Sequence, residues 1–173
     1  MELAVDHLAD LGHRRIVRLR SMMPGGGGVY LHRGEKGFLD TAARRGLAET
    51  AVSINFIEWA ELESLIPELC RKNFTGFIVT IYSNYGWLLD IFARTGKRIP
   101  DDLSLIVYND HPLAEELKLT AIGIDYRETI RQAVRQLGEN IEGAGVFRHH
   151  LIPATLRIRS STGAPPAAGR REP

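Results

Sequence analysis

The sequence has almost no cysteine and almost no net charge. Cys70 is its only thiol, which excludes an internal disulfide and fits a reducing compartment. Twenty-two basic residues face twenty-one acidic ones, so no chain-wide field draws it to nucleic acid or to an anionic membrane. No apolar run approaches the ~18 residues of a membrane span. Met1-Glu2-Leu3-Ala4-Val5-Asp6 has neither a basic start nor an apolar stretch, so it does not read as a signal peptide. These absences point to a cytoplasmic chain with no membrane partner.

The signatures of common chemistry are missing too. There is no Gly-x-Ser-x-Gly elbow and no Walker lysine. His7, His13, His32 and His111 lack metal-ligand spacing to any Cys or carboxylate pair. His149 and His150 are adjacent, and in a strand they would point to opposite faces. Asp101 and Asp102 read as turn residues at a strand entry rather than an acid/base pair. The expectation is a protein that is not an enzyme and uses no metal or cofactor.

What is present is a core and a repeating pattern. Hydrophobic residues make up 44% and charged residues 25% of the 173, enough for one domain with a real interior. Leu3, Leu8 and Leu11, with Ala4, Val5 and Ala9, form a helical apolar stripe that Gly12 closes. Ile16 to Arg20 then reads as a short strand. Met22 to Gly28 must be a loop, because four glycines and a proline hold no regular element. The pattern continues with a helix from about Gly34 to Arg45 and a strand over 52–57. A helix through Leu62, Leu65, Ile66 and Leu69 follows, then a buried strand over 75–81 and a helix around Trp87, Leu88, Ile91 and Phe92.

The most informative stretch is Ile99 to Asp110. A Pro-Asp-Asp turn leads into the apolar run Leu103 to Tyr108, and Asn109 and Asp110 stand at its end. An apolar run bounded by turn residues is how a strand buried on both faces of a parallel sheet reads. Polar groups at its carboxyl end occupy the crevice where open α/β sheets bind ligands. A partly helical loop over 111–118, a strand over 120–124, a long helix over 126–142 and strand-like pieces over 146–152 and 154–159 complete the pattern. From Ser160 the Pro/Ala/Gly/Arg-rich segment has little apolar content, so 160–173 is expected to be a disordered tail. Strands alternating with helices predict an α/β fold on a parallel sheet, a three-layer αβα sandwich.

Several pieces recur in a fixed order: Leu11-Gly12-His13-Arg14-Arg15-Ile16, Gly37-Phe38 opening a helix, Gly96 to Ile106, Leu119-Thr120-Ala121-Ile122, and Arg157 to Thr162. Together they resemble the effector-binding domain of the LacI/GalR family of bacterial transcriptional repressors. The resemblance implies a periplasmic-binding-protein-like fold, in which two α/β subdomains close on a small effector. It assigns residues 1–159 to the sensor domain, essentially its second subdomain, and places the 126–142 helix against a first subdomain. The family's helix-turn-helix, hinge and first subdomain have no counterpart in this sequence.

The resemblance also implies a set of binding positions. A family arginine three residues before the Gly-Phe pair clamps the effector; strict spacing puts Gly34 there, and Arg33 serves only if the glycine loop shifts the register. A family aromatic that stacks on the effector matches Phe56 or Trp59. The family's polar pair after the 77–81 strand falls near Tyr82, Ser83 and Asn84. Its aspartate after the 103–108 strand aligns with Asn109, followed by Asp110. Arg33, Trp59, Tyr82, Asn84, Asn109 and Asp110 are therefore the candidate effector-binding residues. Asn both donates and accepts where an ionised Asp only accepts, so the altered positions imply either a different effector or the loss of effector binding, and a changed ligand is the working expectation.

The function so implied is effector sensing by a transcriptional repressor, with a sugar, nucleoside or related metabolite in the cleft. Homodimerisation is expected, and operator DNA is reached only through a helix-turn-helix that this sequence lacks. A solute-binding protein of a transport system and a module kept only for dimerisation are the alternatives.

Overall fold

The computed structural model describes residues 1–22, 28–80, 84–141 and 149–167, with the side chains of 28–32 left aside. Twelve elements follow the chain: α1 (Glu2–Asp10), β1 (Ile16–Ser21), α2 (Gly28–Arg44), β2 (Ala51–Phe56), α3 (Ala60–Arg71), β3 (Gly76–Thr80), α4 (Tyr85–Arg94), β4 (Ser104–Tyr108), α5 (Pro112–Glu116), β5 (Thr120–Ile124), α6 (Tyr126–Ile141) and β6 (Ala154–Arg157). The strands form one sheet in the order β2-β1-β3-β4-β5-β6. Neighbours from β2 to β5 are parallel, while β6 closes the edge antiparallel to β5. The fold is the α/β sandwich on a mostly parallel sheet that the alternation of strands and helices predicts.

Strand alternation divides the interior in two. Ile16, Ile78, Ile106 and Ile122 face α1 and α2, where they meet Ala4, Val5, Leu8, Phe38 and Ala42. Val17, Leu19, Phe77, Val79, Leu105, Val107 and Ala121 face the opposite way, onto Leu62, Ile66, Leu88, Ile91 and Ala114 of α3, α4 and α5. Every residue of β3 is buried, which explains its unbroken apolar reading. Phe77 and Phe92 meet edge-on at 5.0 Å between ring centres.

Two expectations are corrected. The first concerns the segment from Ser160, which is not disordered in its described part. The Ser161 hydroxyl accepts from Thr120 N–H at 2.8 Å and donates to the Leu105 carbonyl at 2.6 Å. Leu105 N–H donates to the Ser161 carbonyl, and Gly163 N–H donates to Ser104 Oγ at 2.9 Å. His7 joins through a 3.0 Å contact to the Thr162 hydroxyl. Low apolar content misled because this segment is held by hydrogen bonds to strand starts rather than by a core face. Residues 168–173 lie outside the description.

The second correction is to the strand-like pieces. Only Ala154–Arg157 forms a strand; residues 149–152 have no regular structure, and 146–148 lie outside the described residues. Pro153 has no N–H to give a ladder and sits just before β6.

Helix α6 stands apart from the core. It has no buried residue, and Ile130, Val134, Leu137 and Ile141 are each at least 60% exposed along one stripe. Such a stripe needs a partner surface.

Candidate functional site

The strand order β2-β1-β3-β4-β5 reverses between β1 and β3, and ligands in such sheets bind beyond the carboxyl ends of the strands at that reversal. Most of the predicted residues gather along this edge. After β2, the Glu61 carboxylate accepts the N–H groups of Ile57 and Glu58 at 2.8 Å each and fixes the turn into α3. These two backbone donors hold the Glu61 carboxyl below its usual range. The turn sets half-buried Trp59 edge-on to Phe56, at 6.0 Å, and to Trp87 of α4, at 5.6 Å. Phe56 itself is buried, so Trp59 is the aromatic of the pair that reaches the surface.

Asn84 opens α4 in the left-handed conformation, at φ 65°, with its carbonyl accepting from Leu88 N–H at 3.1 Å. Asparagine tolerates this region better than most residues. Its neighbour Tyr85 is buried and donates its hydroxyl to the Asn109 carbonyl at 3.1 Å, tying α4 to the tip of β4. Burial, then the charge of Asp110, pushes the Tyr85 phenol above its ordinary pKa. Asn109 also has positive φ, 84°. Its N–H donates to the Ile122 carbonyl at 2.7 Å, and its Oδ1 accepts from the Tyr126 hydroxyl at 2.8 Å. Trp59 thus contacts Trp87 of α4, while Asn84 is joined to Asn109 through its chain neighbour Tyr85.

Asp110 and Arg33 are placed otherwise. The Asp110 carboxylate is 11% exposed and engaged on both oxygens, with Arg159 Nη2 and Arg157 Nε each at 2.7 Å. Asp110 also presses on β5: a Cβ on Gly123 would lie 2.6 Å from its Cβ and 2.9 Å from its amide nitrogen. Arg33 is exposed on α2, on the other side of the sheet from Trp59. Its neighbour Gly34 approaches the sheet, where an added Cβ would sit 3.8 Å from Arg18 Nη2. Tyr82 and Ser83 lie outside the described residues.

Over residues 5–162 the sequence matches the family described as periplasmic binding protein-like domain. The chain belongs to that family. Among solved structures, this periplasmic-binding-protein-like domain is similar to a LacI transcriptional regulator from a Rhodococcus species, at 27% identity and a TM-score of 0.72. That likeness covers 94% of this chain and 61% of the relative. A LacI-family transcriptional regulatory protein from Corynebacterium glutamicum is similar at 26% identity and a TM-score of 0.73, over 94% of this chain and 64% of that one. A LacI-family transcriptional regulator from Enterococcus faecium with bound ribose shares the fold at 23% identity and a TM-score of 0.75, over 94% of this chain and 62% of that one. The chain therefore spans a little over three fifths of these relatives. No curated protein matches it. The LacI-type sensor-domain resemblance read from the sequence motifs holds for family and fold.

The sequence reading missed Tyr85, the Asp110–Arg157–Arg159 cluster and Arg18. Arg157 and Arg159 belong to the motif that carried the resemblance, yet their carboxylate partner is 47 to 49 residues away and no local pattern announces it. For Arg18 a signal existed. In Ile16-Val17-Arg18-Leu19-Arg20, period-two alternation puts both arginines on one face of a buried strand. Among the described residues no group of three or more His, Cys, Asp or Glu is placed to hold a metal ion.

Proposed function

We propose that this domain forms one wall of a small-molecule effector cleft in a LacI-type transcriptional repressor. The observation that carries the proposal is the contact chain Trp59–Trp87 and Asn84–Tyr85–Asn109 along the carboxyl edge of the parallel strands. Along this edge stand half-buried tryptophans and two exposed or half-exposed amides, the residue types that hold a ring and its hydroxyls. Bound ribose in the Enterococcus faecium relative supports a sugar or sugar-like effector. In this reading Asn109 and Asn84 hydrogen-bond the ligand and Trp59 packs on it, with Arg33 and Tyr82 proposed as further ligand contacts. Asp110 positions Asn109 rather than touching the ligand.

The apolar stripe of α6 serves the same function by packing on the first subdomain, which supplies the opposite wall. Effector binding would then favour one closure of the cleft and change operator affinity through the differential contacts of the two closures. The assembly is a homodimer, and DNA contact lies outside this domain.

Calorimetry against a panel of sugars, nucleosides and polyols tests the reading. One wall of a cleft supports binding on the order of 1 mM, and Trp59→Ala should weaken it at least tenfold. Silence across the panel, with folding confirmed by circular dichroism, would overturn it.

A further inference from the structure

The α1/α2 face of the sheet carries a charge that its surroundings do not answer. Arg18 lies in the middle of β1 and is 2% exposed, in a layer otherwise built of Ile16, Ile78, Ile106 and Phe38. Its Nη1 donates to Ser53 Oγ of the neighbouring strand at 2.8 Å. No ion pair reaches it among the described residues, and its Nε–H is buried without an acceptor. Buried cations are ordinarily paired, because leaving the charge unanswered in a dry layer is costly. Burial, reinforced by the charge of Arg20, pushes the Arg18 pKa down, with Glu35 and Tyr108 acting in the other direction.

A second orphan sits on the adjacent strand. Thr80 is 8% exposed, and its Oγ1 is likewise buried without a partner. In the sheet register Arg20 lies directly opposite Thr80, and Arg18 opposite Ile78. Residues two apart on a strand share a face, so Arg18, Arg20 and Thr80 all look toward α2. They do so on β1 and β3, the two strands between which the order reverses. Gly34 of α2 passes over Arg18, where an added Cβ would lie 3.8 Å from Nη2, so α2 covers the guanidinium with backbone and offers it no acceptor side chain at that position. Among the described residues the two buried side-chain polar atoms without a partner are Arg18 Nε–H and the Thr80 hydroxyl; both can donate, and both belong to the crevice strands.

We propose that Arg18, with Arg20 and Thr80, forms an anion subsite at the β1/β3 reversal, so that the effector is an acidic small molecule carrying a phosphate or carboxylate group. The inference rests on the effector-cleft reading above and adds the ligand's charge to it. An oxyanion would accept from Arg18 Nε–H and from the Thr80 hydroxyl, and Arg20 would add a second positive charge. A neutral sugar would leave the guanidinium charge unanswered.

The test compares ribose, ribose 5-phosphate, ribonate and inorganic phosphate by calorimetry on the whole chain. Ribose 5-phosphate or ribonate should bind at least tenfold more tightly than ribose, and whichever of the two is tighter separates phosphate from carboxylate. Raising the salt concentration should weaken the acidic ligands but not ribose. Arg18→Met should abolish the preference, bringing the acidic ligands to the affinity of ribose. Because that variant removes an unpaired buried charge, its melting temperature without ligand should equal or exceed that of the parent. Thr80→Val should reduce the preference less, as a second variant of unchanged charge. Equal binding of ribose and the acidic ligands, or a preference that survives Arg18→Met, would overturn the subsite and leave the effector reading standing. No binding of any probe by folded protein would overturn both.

Discussion

Replacing Asp110 by alanine removes the carboxylate that joins the tip of β4 to the β6 edge. Its oxygens meet Arg159 Nη2 and Arg157 Nε at 2.7 Å, with Asp110 11% and Arg159 14% exposed. Arg157 is 55% exposed, so solvent screens its share and little stability is assigned to it. Arg159 is different. Removing one partner of a buried pair costs about 3–5 kcal/mol, because a desolvated charge is left behind. Arg159 retains a hydrogen bond from Nη1 to the Leu119 carbonyl at 2.6 Å, which argues for the lower end, about 3 kcal/mol. For a domain of this size that is a fall in melting temperature of about 6–12 °C. Urea unfolding followed by tryptophan fluorescence is the assay, with a lower midpoint and an unchanged slope. Adding Arg159→Met to Asp110→Ala should restore at least half of the loss, since the stranded charge is then gone. A loss below about 1 kcal/mol, the range of ordinary substitutions, would refute the assignment of Asp110 as the link between these strands.

Gly123→Ala should cost about 1–3 kcal/mol by the same assay, because its Cβ would fall 2.6 Å from Asp110 Cβ and the nearby backbone would have to move. Val134→Glu should leave stability within about 0.5 kcal/mol, since Val134 is 63% exposed on α6; a large loss would mean that this face is already covered. Acid should weaken the fold through His13, which is buried with Nδ1 2.9 Å from Thr75 Oγ1 and Nε2 3.0 Å from the Gly163 carbonyl. Burial, with His7 nearby, lowers its pKa below the ordinary 6.5, so the unfolded chain takes up the proton first. The stability His13 contributes is complete above pH 6.5 and declines as pH falls from there toward its lowered folded value, which melting curves between pH 7.5 and 5 would show. His13→Gln should flatten that decline.

The fold was legible because the sheet is parallel and doubly covered. Buried strands such as Phe77–Thr80 and Leu105–Val107 read as continuous apolar runs, and glycines such as Gly12, Gly46 and Gly96, all at positive φ, mark the helix ends. The Ser160–Gly163 segment was not legible for the opposite reason. Its order comes from Ser161 and Gly163 bonding to Leu105, Thr120 and Ser104, and apolar counting ignores such bonds. The candidate site was legible in part. Trp59, Asn84 and Asn109 stand at strand ends, where local pattern and family resemblance agree. Asp110 carries the same local signal, but its partners enter from β6 and the residues after it, which no spacing within residues 99–110 reveals. Arg18 was hidden by habit rather than by physics: an arginine inside a strand reads as exposed unless both faces of that strand are known to be covered.

The most direct test of the account is amide NMR of the chain titrated with the neutral and acidic sugars. Shift changes should concentrate at the carboxyl edge of the strands, at Ser21, Trp59, Asn84, Trp87 and Asn109, and at Arg18 and Thr80 for acidic ligands. Changes gathered instead at the opposite edge, around His13, Thr75 and Ser104, or no change with any ligand, would contradict it.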